Sequence, residues 1–300
     1  MERIPFLELP NCYRFRNDAI ELIVATDIGP RILSYGYRSK PNILGVCPEA
    51  GQKTSWGEWK PRGGHRLWVA PENMPSSYEP DNSPVYFSVE DNHIRLRGEI
   101  GQHTGLQKEM LIAFPRSGSE VRVLHRLTNE GCWPIDISLW ALTIMRGGGV
   151  AIVPQEPFRP YPEVLQPVRP LVMWSYTDFT DPRFDIGVRL VRLRSDSSLD
   201  NPQKFGVGNT LGWCSYLLEG VLFVKRFRYE PAGVYPDFGC NNEIYTAGSF
   251  IELESLSAMQ RLAPGASAQH EETWNLIAGV EDDDHSIAEA FASLSISASS

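Results

Sequence analysis

From Ile20 to Ile277 the chain is a succession of strand-length runs, each stopped by Gly, Pro, Asn or Asp before a helical period can develop. Ile20–Thr26, Arg31–Tyr37, Val121–Thr128, Ile135–Thr143, Val221–Tyr229, Phe250–Leu256 and Glu271–Ile277 are typical, rich in β-branched and aromatic residues. Turn chemistry falls where such runs stop, at Asp91-Asn92, Asn129-Glu130-Gly131, Glu219-Gly220 and Ala263-Pro264-Gly265. Glu219-Gly220 joins its neighbours closely enough to predict a hairpin. Strands and helices do not alternate, which argues against a parallel α/β sheet. One helix is predicted, Ser286–Leu294, behind the acidic run Glu281-Asp282-Asp283-Asp284 that suits a helix N-terminus. The pattern predicts an all-β fold: a large antiparallel β-sandwich with a short C-terminal helix, occupying 1–300 as a single domain. Ser297–Ser300 is expected to fray.

Charge and cysteine usage narrow the partners. A net charge of -9 and a pI near 5.3 speak against nucleic acid and anionic membrane, and leave a neutral small molecule compatible. No apolar run approaches the ~18 residues of a membrane span. The start, Met1-Glu2-Arg3-Ile4-Pro5, is not followed by the apolar core of a secretory signal. The 5 cysteines are scattered, with no C-x-x-C spacing, as expected of reduced thiols in a cytoplasmic protein. No histidines have metal-ligand spacing, so neither a metal nor a cofactor is expected.

Two segments break the strand rhythm and are expected to line or cover a site: Pro48–Tyr78 and the Pro-rich Gln155–Pro170. The first carries Arg62-Gly63-Gly64-His65-Arg66-Leu67-Trp68, in which glycines allow close backbone approach and an imidazole, a guanidinium and an indole follow. The alternative is a Gly-rich turn with a solvated His-Arg pair and a core Trp.

In Phe250–Leu256 alternation puts Glu252 and Glu254 on one face with Phe250 and Leu256. Two like charges on a partly apolar face raise each other's pKa, as a general base requires. Equally, the pair could be salt-bridged to Lys225, Arg226 or Arg228. Lys225 shares its strand face with Phe223 and Phe227, either snorkelling or aimed into a pocket. Asp237 and Glu243, in the segment Tyr235–Glu243 with its two amides, suit sugar hydroxyls, with plain turn chemistry as the alternative. Among the other histidines, His125 reads as a core residue and His103 as an exposed group open to act as an acid. His93 reads as a turn residue, His270 as pairing with surface acids, and His285 as part of the acidic tail.

The order of these features resembles the galactose mutarotase-like superfamily, the aldose 1-epimerase type, and an uncharacterised branch of it. Gly29–Tyr35, Asn42–Gly45, Arg62–Trp68, Leu127–Gly131, Phe250–Ser255, Leu262–Gly265 and Glu272–Trp274 carry the resemblance. It implies a sugar or sugar derivative as ligand and a concave sheet as the site. It further implies a late-strand glutamate as base, matched by Glu254 or else Glu252, and a histidine as acid, matched by His65 or His103. Arg62, Arg66, Trp68 and Lys225 would contact substrate. The strand that carries a second histidine in that superfamily reads Ile137–Leu142 here, without one. Non-catalytic sugar binding, or a sugar lyase or isomerase on the same fold, are the alternatives.

Overall fold

In the computed structural model, which describes residues 1–47 and 51–297, the alternating runs pair into two large antiparallel sheets of 11 and 10 strands. At the middle of the larger sheet lie, side by side, His65–Ala70, Ile135–Arg146, Phe250–Leu256, Asn242–Ala247 and Gln203–Val207. Glu2–Phe6, Leu9–Arg16, Ile20–Ala25 and Arg31–Tyr37 extend it at one end, and Leu171–Met173 closes the other. The smaller sheet centres on Leu106–Ala113, Val121–Asn129, Ser267–Ala278, Val221–Phe227 and Trp213–Leu218.

One face of each strand supplies the core. Ile251 and Leu253 from the larger sheet, with Val121, Val123, Phe223 and Trp274 from the smaller, belong to one buried cluster between the sheets. The residues between them, Glu252 and Glu254 included, therefore face outward. The smaller sheet's outer face is partly covered by the helix Asp284–Ser297, whose Ile287 and Ala290 pack with Ile152, Leu222 and Val224. Asp283 caps that helix through the amides of His285 and Ser286, while Asp282 and Asp284 bind Arg192 and Arg194 on the sheet. The acidic run thus docks the helix as well as starting it.

The turns follow their chemistry. Asp91-Asn92 and Glu219-Gly220 both have two positive φ angles, the geometry a two-residue hairpin needs. The Arg62–Gly64 glycines serve a different purpose from the expected one. A Cβ on Gly64 would lie 2.1 Å from the Ile32 carbonyl oxygen, so the backbone it admits is a neighbouring strand and not a ligand. Pro48–Tyr78 is also not one loop, since His65–Ala70 is a central strand. Its residues 48–50, and residues 298–300 of the tail expected to fray, lie outside the described residues. No helix among the described residues is long and apolar enough to cross a membrane.

Candidate functional site on the outer face of the larger sheet

Strand register builds the site. Arg66, Leu142, Glu254 and Glu243 stand opposite one another on four adjacent strands, and Glu252 stands opposite Ile144 and Tyr245. Trp68 opposes Trp140, which opposes Leu256. Lys204 enters from the next strand, opposite Tyr245. All of these occupy the outer face.

Glu254 is held rather than free. Its Oε2 accepts from Trp140 Nε1 at 2.8 Å and from Lys204 Nζ at 3.0 Å, while Oε1 is buried without a partner. Lys204 also meets Glu243 Oε2 at 2.8 Å and sits over the Trp140 and Trp174 rings. One ammonium answers two carboxylates. Burial works against the charged lysine, but Glu243 and Glu254 outweigh it and hold Lys204 protonated. Burial raises Glu243 well above the usual carboxylate range despite Lys204.

Glu252 differs from both in being half-buried and open to solvent. Burial, with the nearby Glu254 charge adding, pushes its pKa up to about 7, against the pull of Arg66 and Lys204. Arg66 is buried, lies over the rings of Trp68 at 4.4 Å and Trp59 at 5.0 Å, and donates to the Pro61 carbonyl. Trp59, Trp68, Trp140 and Tyr78 pack edge-to-face or tilted at centroid distances of 4.9–5.4 Å, forming an aromatic platform beside the carboxylates.

Between the sheets lies a second polar cluster, built from His65, Thr143 and Ser255 of the larger sheet and His125, Lys225, His270 and Glu272 of the smaller, and two expected site residues belong to it. His65 Nε2 meets His125 Nε2 at 2.9 Å, and its Nδ1 meets Thr143 Oγ1 at 2.8 Å. Lys225 Nζ pairs with Glu272 Oε1 at 2.7 Å and donates to the carbonyls of Ala141 and Leu253. Trp274 Nε1 and Ser255 Oγ also donate to Glu272, and His270 Nε2 meets Ser255 Oγ at 2.7 Å. His65 is thus on the opposite side of the sheet from Glu254, since Arg66 takes the outward position beside it. The expected Glu254–His65 pairing is not what the fold builds. Lys225 likewise answers Glu272 and not the Glu252–Glu254 pair. Arg226 pairs with Glu120. His270, expected against surface acids, is buried in this cluster.

His65, His125 and Glu272 are close enough to share one metal ion. Lys225 already neutralises Glu272 there, so a divalent cation would add two uncompensated charges to a sealed interior. Burial pushes His125 down to about 3 and His270 to about 4, and His65 well below its ordinary value, so all three rings are neutral. Burial alone would raise Glu272, but Lys225 and the histidines hold it well below the carboxylate range. The Lys225–Glu272 pair is fully answered within the cluster, while His125 Nδ1 is buried without a partner among the described residues.

The remaining expected residues scatter. His103 is exposed and stacks on Trp56, and Arg62 hydrogen-bonds Asn82 at the rim. Asp237 lies in a turn at positive φ. Lys204, Trp140, Trp59 and Tyr78 were not singled out in sequence as ligand contacts. Lys204 sits in Gln203–Val207 and Glu243 in Asn242–Ala247, two short strands that the run pattern did not mark. Lys204's one sequence signal is a lone lysine directly before the apolar Phe205-Gly206-Val207 run.

With this geometry in place, comparison with solved structures identifies the class: the fold is that of the galactose mutarotase-like β-sandwiches. A Klebsiella pneumoniae protein provisionally named as an aldose 1-epimerase matches with a TM-score of 0.61 at 11% identity, covering 97% of this chain and 85% of that one. A galactose mutarotase-like protein from Lactobacillus casei matches at TM-score 0.55 and 12% identity, over 89% and 100%. An Escherichia coli K12 protein, also provisionally named as an aldose 1-epimerase, matches at TM-score 0.53 and 13% identity, over 89% and 99%. No protein-family model matches the chain, and no curated protein is similar to it in sequence.

Proposed function

We propose that the outer face of the larger sheet binds a sugar and interconverts its anomers, with Glu252 as the proton-transfer group. The observation that carries this reading is the placement of one solvent-reachable carboxyl beside an aromatic platform, on a floor of fixed charges. Trp59 and Tyr78, half-buried above Trp68, offer a sugar ring apolar faces, and Arg66 offers its hydroxyls a donor.

A protonated Glu252 can act through both oxygens. One gives its proton to the ring oxygen while the other takes the proton of the anomeric hydroxyl. The C1–O5 bond breaks, the aldehyde rotates about C1–C2, and the reverse transfer closes either anomer. The carboxyl ends as it began. A group with a pKa near neutrality suits this exchange. Glu254 and Lys204 act by fixing charge beneath it, because Glu254 is enclosed.

The test is anomer exchange of D-glucose, D-galactose and their uronic acids, followed by NMR. Glu252→Gln is expected to lower the rate by about 10²-fold or more while leaving the fold intact. Equal rates in wild type and variant would refute the role of Glu252. A second reading, sugar binding without turnover, is favoured by one observation: His65, His125 and His270 face inward and the other three histidines lie off this sheet face. It predicts saturable binding with no exchange above the uncatalysed rate.

A further inference from the structure

At one end of the sandwich a cavity of about 250 Å³ opens between the Gly29-Pro30 turn, residues 79–83 and the Gly98–Leu106 segment. It is separate from the outer-face site, whose aromatic residues do not line it. Lys108 stands on the inward side of its strand, with Met110 and Ile112, yet at the open end, where its ammonium has no hydrogen-bond or ion-pair partner among the described residues. Asp81 lies across from it with Oδ2 fixed by Arg31 at 2.6 Å and Oδ1 buried without a partner. Arg31 is fully buried and bonded to the Pro61 and Gly63 carbonyls, so Asp81 is held in place. Glu79 closes the wall: its carboxylate accepts from the His103 amide at 2.7 Å and from the Thr104 hydroxyl. Trp56, stacked on His103 at 4.7 Å, stands at the rim.

We propose that this cavity is a second small-molecule site, one that takes a neutral polyhydroxylated ligand the size of a single ring. The local charges cancel, Asp81 against Arg31 and Glu79 against Lys108, and Glu99 adds a further acid to the lining. A phosphate or carboxylate therefore gains no net attraction. The free hydrogen-bonding capacity of the lining, among the described residues, is the Lys108 ammonium as donor and the Glu99 carboxylate as acceptor, which neighbouring hydroxyls can answer together. Leaving the half-buried Lys108 ammonium without a partner is costly, and a bound hydroxyl removes that cost.

Titrating the full chain with myo-inositol, with D-galactose, and with inorganic phosphate as the anion control tests this by amide NMR shifts. Saturable shifts at Gly101, Gln102 and His103 with the polyols, and none with phosphate, are expected. Lys108→Met should weaken that binding about tenfold or more. Trp56→Ala, a rim change that leaves Lys108 and Asp81 in place, should weaken it less. Glu252→Gln should leave it unchanged, which separates this site from the one on the outer face. Polyol shifts untouched by Lys108→Met, shifts with phosphate alone, or no shifts in this segment would each overturn the proposal.

Discussion

The two sides of the larger sheet meet the same kinds of side chain, supplied on the inside chiefly by the smaller sheet, and use them oppositely. On the inner face Lys225 and Glu272 form one pair, its remaining bonds completed by Trp274, Ser255 and two backbone carbonyls. On the outer face Lys204 is shared by Glu243 and Glu254, two carboxylate oxygens have no donor, and Glu252 meets solvent. A satisfied buried network specifies a structure. An under-satisfied, accessible one is what a ligand completes. The contrast teaches that residue type alone does not mark a site; the balance of donors and acceptors does.

Breaking the inner pair should show the largest effect. Lys225→Met leaves the Glu272 charge buried without its counterion, and should destabilise the fold by about 3–5 kcal/mol in urea unfolding. Sugar binding by the fraction still folded should be unchanged. A variant as stable as wild type would mean that the cluster is not a structural ion pair.

Acid should attack the same region next. The three inner histidines are neutral when folded, with values below the ordinary 6.5. In the unfolded chain they take up protons near pH 6.5, so the unfolded state binds more protons below that value. Stability is therefore full above about pH 6.5 and is lost as pH falls toward the folded values. Urea midpoints measured from pH 7.5 down to 4.5 should decline, and His125→Gln should flatten part of that slope.

How much of this was legible in sequence follows from what alternation encodes. Period two gives the strands, and it put Glu252 with Glu254 and Lys225 with Phe223 and Phe227 on shared faces. The sandwich and its C-terminal helix were readable on that basis. Period two does not say which face looks inward. His65 and Arg66 are adjacent, so one had to point away from the glutamates, and only packing against His125 and Trp274 decides that it is His65. Nor does it pair distant strands: Lys204 reaches Glu243 and Glu254 because Gln203–Val207 joins the sheet beside Asn242–Ala247. That join depends on long-range register, which no local pattern carries.

On the outer face the effects should be smaller and fall on the ligand. Trp59 packs against Trp68 and Tyr78 from the rim, half-exposed. Trp59→Ala should weaken sugar binding by about 0.5–1.5 kcal/mol in calorimetry and move the unfolding midpoint little. Unchanged affinity would place the ligand elsewhere than on the platform.

The smallest effect is also the one with a distinctive sign. Glu252 has its folded pKa raised to about 7 from an ordinary 4.5, by burial first and Glu254 second. Between those values the folded state holds more protons than the unfolded state, so stability falls as pH rises through the window and levels off above it. That slope is opposite to the one the inner histidines impose. Glu252→Gln cannot ionise and removes it. The variant should match wild type near pH 4.5 and exceed it at pH 8, with the gap opening between about pH 4.5 and 7 and holding constant above. Parallel urea profiles for the two proteins would show that Glu252 is not held protonated by its surroundings, and would take with them the reason for assigning it the proton transfer.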